Sequence, residues 1–294
     1  SSFVRPNPKV IQKILLVGFT LSLVPIVIIL FRTVDRWILT SILTSTDFGY
    51  YAFGMTIGMF LYTIPNTLGV VLSTNLIQKF GVTGDPNASN SMITVSIFLT
   101  SYLMAFISGG VVIIIPFLLN HFLNSYLPGE NLIKIVIVAN CALFALPIAS
   151  NFLLSIQRKK IVFSLLALMI ILEVLLTWVF ALKYGAYGGA IAVLFVSITG
   201  SIFFLISTFM VIRPNMYVVF SNTIKAIAPF FLLVAISVYI DNKFIMVGSF
   251  WKDLETTILY EIYYVCLILP VALLFFWLSK TFDDIKLALK SVSQ

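Results

Sequence analysis

The sequence has 294 residues, of which 61% are hydrophobic and 10% charged, and its formal net charge is +7. This balance excludes an ordinary soluble domain, in which roughly half of the residues are apolar and about a quarter are charged. The basic residues are spread over separate segments, so they do not indicate a nucleic-acid surface, where lysine and arginine cluster around aromatic side chains.

Eight apolar segments follow one another along the chain, and each reaches the length of roughly 17–25 residues that a helix needs to cross a bilayer. Because lipid offers no hydrogen bonds to the backbone, long unbroken apolar runs favour helices over barrel strands. The predicted helices are residues 11–43, 48–79, 91–119, 132–156, 160–182, 187–212, 224–240 and 256–279. The predicted fold class is therefore all-α, a polytopic membrane protein with about eight transmembrane helices.

Proline lies inside six of these helices, at Pro25, Pro65, Pro116, Pro147, Pro229 and Pro270. Each proline removes a backbone hydrogen bond and predicts a bend. Two interpretations stay open, since membrane helices tolerate proline in general and since bends also serve as hinges in proteins that change conformation.

Basic residues in the connections predict the orientation in the membrane. Cytoplasmic loops carry the excess of lysine and arginine, so we expect an even number of crossings with both termini in the cytoplasm. That side would hold Arg5, Lys9, Lys13, Lys79, Arg158, Lys159, Lys160, Arg213, Lys225, Lys280, Lys286 and Lys290. The opposite side would hold only Lys134, Lys183, Lys243 and Lys252.

The first helix carries three charged residues on one face, Arg32, Asp35 and Arg36, at spacings of three and four residues. Asp35 can pair with either arginine, which leaves a guanidinium for an anionic ligand, and phosphate matches its planar fork. In the alternative interpretation, residues 14–31 cover the hydrocarbon layer and both arginines reach out to the far interface.

Glu173 lies near the middle of the fifth predicted helix, where a carboxylate indicates a proton or cation site. A protonated glutamate hydrogen-bonded to a neighbouring helix remains the alternative. Glu261 is expected at the interface, and His121 is expected in a loop with a solvated side chain. No metal site, cofactor or enzymatic activity is predicted, because no ligand cluster, phosphate loop or nucleophile with a base is recognisable.

Two motifs resemble the Wzx-type flippases of lipid-linked oligosaccharides, in the multidrug/oligosaccharidyl-lipid/polysaccharide exporter superfamily. The first is residues 34–39 (VDRWIL) followed by residues 49–54 (GYYAFG), similar to the start of a six-helix bundle in that family. The second is residues 182–192 (LKYGAYGGAIA), similar to the turn between the last two bundle helices. Four helices and the basic loop 157–160 (QRKK) lie between them in the family's order.

The resemblance implies that residues 1–214 form the second six-helix bundle of such a protein, and residues 215–294 an additional helix pair and cytoplasmic tail. An N-terminal bundle of the same protein would be the missing partner. Two bundles would then carry a polyprenyl-pyrophosphate-linked oligosaccharide across the plasma (inner) membrane by alternating access, for surface polysaccharide biosynthesis. Arg32 and Arg36 would bind the pyrophosphate, with Asp35 orienting them and Glu173 available for ion coupling.

The sequence departs from the family pattern at Glu173 and Thr177, where asparagine is common, and at Leu182, where proline is common. A drug or small-cation exporter of the same superfamily is the closest rival function. A membrane glycan polymerase or acyltransferase is a further alternative, although the outer connection near residues 241–255 contains no histidine.

Overall fold

In the computed structural model, the described residues are 8–83, 90–212, 215–241, 243 and 248–278, and their regular structure is helical, with no strand among them. The helices are α1 (Pro8–Ile42), α2 (Ser45–Thr83), α3 (Asn90–Phe122), α4 (Glu130–Ala142), α5 (Ala145–Ser155), α6 (Lys159–Ile212), α7 (Met216–Asp241) and α8 (Phe250–Leu278). A 3-10 segment, Asn124–Gly129, precedes α4. The all-α fold class is confirmed, while the predicted cytoplasmic tail, Arg5 and Arg213 lie outside the described residues.

Within this part of the chain, five segments are long and apolar enough to cross a membrane. They are Ser45–Leu72, Met92–Phe122, Asn124–Ser155, Lys159–Ile212 and Met216–Asp241. The chain is therefore a membrane protein. Lys159–Ile212 would cross twice, because it folds back at Gly185. That α1 and α8 also cross, which would complete eight crossings, stays a prediction.

Helix α6 folds back on itself at Gly185. Its 54 residues would far exceed the hydrocarbon layer of about 30 Å as a straight helix, but Gly185 has φ 60° and ψ −141°, a conformation that favours glycine. A Cβ at Gly188 would lie 2.0 Å from the carbonyl oxygen of Phe180, and one at Gly200 would lie 2.1 Å from Met169. In each pair, the two residues are separated from Gly185 by nearly the same number of residues along the chain. The two arms are therefore antiparallel, as the predicted helices 160–182 and 187–212 require.

The predicted helix 132–156 is wrong as a continuous element, since it is divided into α4 and α5 at Leu143 and Phe144. Pro147 explains the break, because a proline ring conflicts with the carbonyl four residues earlier and cannot donate to it. Ser201 on α6 donates to the carbonyl of Ala142 at 2.5 Å. The hydroxyl thus satisfies a backbone group that the break exposes.

The helices pack so that α1 and α2 contact each other only slightly. Helix α1 lies chiefly against α6, while α2 lies against α4 and α5, and α3 packs on α7 and α8. Gly54 and Gly58 bring α2 close to α4, since a Cβ at Gly54 would lie 3.1 Å from the backbone of Ile133. A cleft therefore remains between α1 and α2, with α5 behind it.

One end of the bundle is tied together by polar and aromatic contacts. Lys134 on α4 donates to Asp241, the last residue of α7, at 2.7 and 2.8 Å, and it also bonds Glu130 at 2.6 Å. The rings of Tyr50 and Tyr126 lie 5.9 Å apart. The connections α1–α2, α3–α4 and α7–α8 therefore lie at the same end, as an alternating path through the bundle requires.

His121 belongs to this end and corrects the expectation of a solvated loop residue. It lies in the last turn of α3, and its Nε2 is 3.0 Å from the buried Asp253 of α8. Phe117 and Phe250 pack on its ring, with centroids at 4.9 and 5.3 Å. Its solvent contact is small because the start of α8 covers it.

Candidate functional site

Arg32 lies inside the protein between α1, α2 and α4. Its guanidinium carbon is 3.8 Å from the centre of the Tyr62 ring, and its Nη2 donates to Asn140 Oδ1 at 3.0 Å. The ring faces a cation with its negative quadrupole, and the amide oxygen accepts a charge-assisted hydrogen bond. The side chain therefore contacts α2 and α4 within the bundle.

Asn140, near the end of α4, fixes the position of Arg32. Its Nδ2 donates to the carbonyl of Val136 at 3.0 Å and lies 3.2 Å from the sulfur of Met55. A Cβ at Gly58 would come within 2.7 Å of the same nitrogen. With its amide nitrogen held in this way, Asn140 presents its oxygen to Arg32.

The cleft between α1, α2 and α5 has a volume of about 500 Å³, within the range of sites for small molecules. Its polar lining consists of Arg32, Thr33, Tyr62, Asn66, Ser150 and Asn151. Arginine is the only charged residue among the described side chains that line it. The lining therefore combines one cation and several hydrogen-bonding groups with an apolar wall, which suits an anionic ligand.

Asp35 is 2% exposed and contacts a residue other than the arginines predicted from the sequence. It accepts a short hydrogen bond from the hydroxyl of Tyr51, and among the described residues it makes no ion pair with Arg32 or Arg36. The expected pairing of Asp35 with an arginine is therefore corrected. The buried hydroxyl stabilises the carboxylate because it donates to it.

A second, much smaller cavity of about 20 Å³ lies on the other side of Arg32. Arg32, Asp35 and Asn140 line it together with Glu173 and Ser197, which come from the two arms of α6. The volume is near that of a single water molecule or small ion. Arg32 thus lies between the cleft and the small cavity, which is lined by two carboxyl groups.

Several oxygens around this compartment lack hydrogen-bond partners. Asp35 Oδ1, Glu173 Oε2, Thr177 Oγ1 and Ser197 Oγ are buried and unpartnered, and Glu173 is 2% exposed. Groups of this kind are costly in a dry interior. A proton or a cation in the cavity would provide them with a partner. The coupling role of Glu173 and the alternative of a protonated glutamate hydrogen-bonded to a neighbouring helix both stay predictions.

Arg36 lies on the same helix face but reaches α2 instead of the cleft. Its Nη2 is 2.8 Å from the sulfur of Met59, and its Nε is buried without a partner. Arg32 and Arg36 are thus both turned toward α2, while Asp35 lines the small cavity. The three charged residues lie on one helix face, as the spacing predicted, but each side chain contacts different residues.

Asn140, Tyr51 and Tyr62 position the charged residues of α1, and none of the three was predicted from the sequence. Tyr51 stands inside the motif at residues 49–54, and Asn140 is a lone amide in an apolar run. Both positions indicate a specific contact in the sequence itself, because a polar group in a membrane helix usually has a specific partner.

Comparison with known proteins gives no relative. No protein family matches the chain, and no curated protein or solved structure shows significant similarity to it. Function must therefore be inferred from the cleft and the cavity beside it.

Proposed function

We propose that this protein is part of a flippase that carries a polyprenyl-pyrophosphate-linked oligosaccharide across the plasma membrane by alternating access. The observation that carries the proposal is Arg32, which stands in the wall of a 500 Å³ cleft between two helices that scarcely touch. The pyrophosphate would bind at this guanidinium, and the apolar remainder of the cleft would face the lipid part of the substrate. The resemblance of residues 34–39, 49–54 and 182–192 to Wzx-type flippases supports the same function.

The charge of the cleft separates this proposal from the export of cationic drugs. A cationic substrate would call for a carboxylate in the binding cleft, and the described lining residues include none. An anionic head group instead matches Arg32, with Asn66 and Asn151 as further hydrogen-bond donors.

The small cavity supplies a basis for energy coupling within the same proposal. Asp35 and Glu173 line it beside Arg32, so a proton or cation there would change the field at the arginine. Arg36 contacts Met59 outside the lining of the cleft, so it would act on the pyrophosphate through its charge and not through a direct contact. Movement of a second bundle of the same protein against this one would open the cleft alternately to the two sides, with both termini in the cytoplasm.

Binding of farnesyl pyrophosphate to the protein in lipid nanodiscs tests the proposal. We expect saturable binding measured by calorimetry, and none of farnesol, which has the same tail without phosphates. Arg32→Ala should weaken the binding about tenfold or more, because a hydrogen bond to a charged group contributes about 1.5–3 kcal/mol.

Arg158→Ala is the matched control, because it removes the same charge from an exposed position outside the cleft. Equal affinity of the Arg32→Ala and Arg158→Ala variants, or equal binding of farnesol and its pyrophosphate, would contradict the proposed site.

A further inference from the structure

The cleft beside Arg32 has a second polar region, which lies farther along the helices. Asn66 on α2 and Asn151 on α5 both line this region, and together they are called the amide pair below. Asn66 comes four residues after Tyr62, whose ring lies against the Arg32 guanidinium. At 1.5 Å per residue, Asn66 therefore lies about 6 Å farther along α2 than Tyr62. The amide pair is thus separated from the arginine by at least one helical turn.

The two amides lie in the same region because α5 and α2 approach each other closely there. A Cβ built on Gly69 of α2 would lie 3.0 Å from Asn151 Nδ2 and 3.0 Å from the carbonyl carbon of Pro147. Gly69 follows Asn66 by three residues, so the two share one face of α2. The absence of a side chain at Gly69 therefore lets the Asn151 amide lie against the α2 face that carries Asn66.

The amide pair is available to a ligand, unlike the amide of Asn140. Among the residues that the structure describes, neither amide nitrogen of the pair donates a hydrogen bond, and both side chains are at least partly exposed. Asn140 instead donates to Val136 and accepts from Arg32. The neighbouring Ser150 hydroxyl donates to a carbonyl of its own helix at 3.2 Å. The free donors of this region are therefore those of the amide pair.

The chemistry of the amide pair favours a ligand group that both donates and accepts hydrogen bonds. A carboxamide has an NH₂ donor and a carbonyl acceptor, and a sugar hydroxyl likewise both donates and accepts. An ionised phosphate only accepts, so it would leave the carbonyl oxygens of the pair without a donor. Arg32 is the single charged residue of the described lining, and the pyrophosphate would already engage it. A charged sugar would therefore be buried here without a counter-charge, which is costly.

We propose that the amide pair is a binding subsite for the first sugar of the lipid-linked oligosaccharide, and that this sugar is uncharged. The inference rests on the proposed function, because it takes the pyrophosphate to lie at Arg32. The sugar is bonded directly to the pyrophosphate, so it reaches the next helical turn, where the amide pair lies. Ile28 and Pro25 of α1, one and two turns before Arg32, also line the cleft and would contact the apolar C–H faces of the ring.

Farnesyl pyrophosphate and two sugar-bearing derivatives, farnesyl-pyrophosphoryl-glucose and farnesyl-pyrophosphoryl-glucuronic acid, provide a matched test. The two sugars differ only at C6, which is a hydroxymethyl group in one and a carboxylate in the other. Affinities are measured by calorimetry with the protein in neutral phosphatidylcholine nanodiscs. The sugar gain is the affinity of a derivative divided by that of farnesyl pyrophosphate. We expect a gain of about tenfold for glucose, as for two added hydrogen bonds, and none for glucuronic acid.

Substitutions of the amide pair test its role in the sugar gain. Asn66→Leu and Asn151→Leu should each lower the glucose gain about threefold, because each replaces one amide by an apolar group of similar size. Asn124→Leu is the control, since it removes an exposed asparagine outside the cleft. Arg32→Ala should weaken farnesyl pyrophosphate and its glucose derivative by the same factor, so the gain should persist. Binding of farnesyl pyrophosphate by a leucine variant shows that the variant is folded.

The outcomes separate this subsite from the proposed function. A glucose gain of about one in the unaltered protein, a gain that either leucine variant retains in full, or an equal gain for glucuronic acid would each overturn the sugar subsite. Binding of farnesyl pyrophosphate that depends on Arg32 would still support the pyrophosphate site in those cases. Binding that Arg32→Ala leaves unchanged would overturn both.

Discussion

At the scale of single residues, the site depends on three polar side chains that hold charges in place. Asn140 and Tyr62 position Arg32, and Tyr51 donates to Asp35. Each of these partners is itself 5% exposed or less. The charged groups of α1 are therefore hydrogen-bonded to neutral partners from α2 and α4, and the described residues show no salt bridge among the three charged groups.

Loss of the Tyr51 hydroxyl should destabilise the fold. In a Tyr51→Phe variant, Asp35 would keep its burial and lose the side-chain hydroxyl that donates to it, which costs about 1–3 kcal/mol. We expect a lower midpoint of thermal unfolding in detergent than for the control Tyr217→Phe, whose ring is 82% exposed. Equal midpoints for the two variants would show that the hydrogen bond contributes nothing to stability.

At the scale of helices, close approach of α2 to α4 controls the orientation of Asn140. In a Gly58→Ala variant, the new methyl group would lie 2.7–2.8 Å from the Asn140 side chain. We expect Asn140 to shift and Arg32 to lose its acceptor, so the affinity for farnesyl pyrophosphate should fall severalfold. The affinity is measured by calorimetry, with Gly49→Ala as the control, because a Cβ at Gly49 meets nothing within 4 Å. Similar affinities of the two variants would contradict the role of Gly58 in positioning Asn140.

The turn of α6 carries a second prediction at this scale. Gly185→Ala should lower stability, because a side chain at φ 60° costs of the order of 1–3 kcal/mol. The unfolding midpoint should fall, whereas Gly49→Ala lies in ordinary helix and should leave it nearly unchanged. An unaltered midpoint for Gly185→Ala would mean that the hairpin does not need this backbone conformation.

The helices could be predicted well from the sequence, whereas the contacts of buried side chains between helices could not. Helices and turns are determined by residues that are close in sequence. The apolar runs therefore predicted the helix positions, and the glycines near residue 185 predicted the fold-back of α6. The division of α4 from α5 was missed although Pro147 was noted, because a proline predicts either a bend or a break. Spacing placed Arg32, Asp35 and Arg36 on one face, but which neighbour each one meets is set by α2, α4 and α6.

At the scale of the whole molecule, Arg32 connects two compartments. It lines both the large cleft and the small cavity of Asp35 and Glu173. Neutralising a carboxyl group with a proton or cation would leave the positive field of Arg32 less compensated. An anion in the cleft and a cation in the cavity should therefore favour each other's binding, since such coupling is reciprocal.

This coupling can be measured as the dependence of anion affinity on sodium concentration and on pH. We expect farnesyl pyrophosphate to bind more tightly with added sodium or at lower pH, at constant ionic strength. Glu173→Gln should abolish most of the dependence, while Glu255→Gln, an exposed position, should retain it. If the dependence survives in the Glu173→Gln variant, the small cavity and the cleft are not coupled through Glu173.

A structure of the protein in nanodiscs with bound farnesyl pyrophosphate tests the central claim most directly. We predict phosphate density in the cleft between α1 and α2, within hydrogen-bond distance of the Arg32 guanidinium. Phosphate density elsewhere, with an empty cleft and Arg32 still on Asn140, would contradict the proposed transport site.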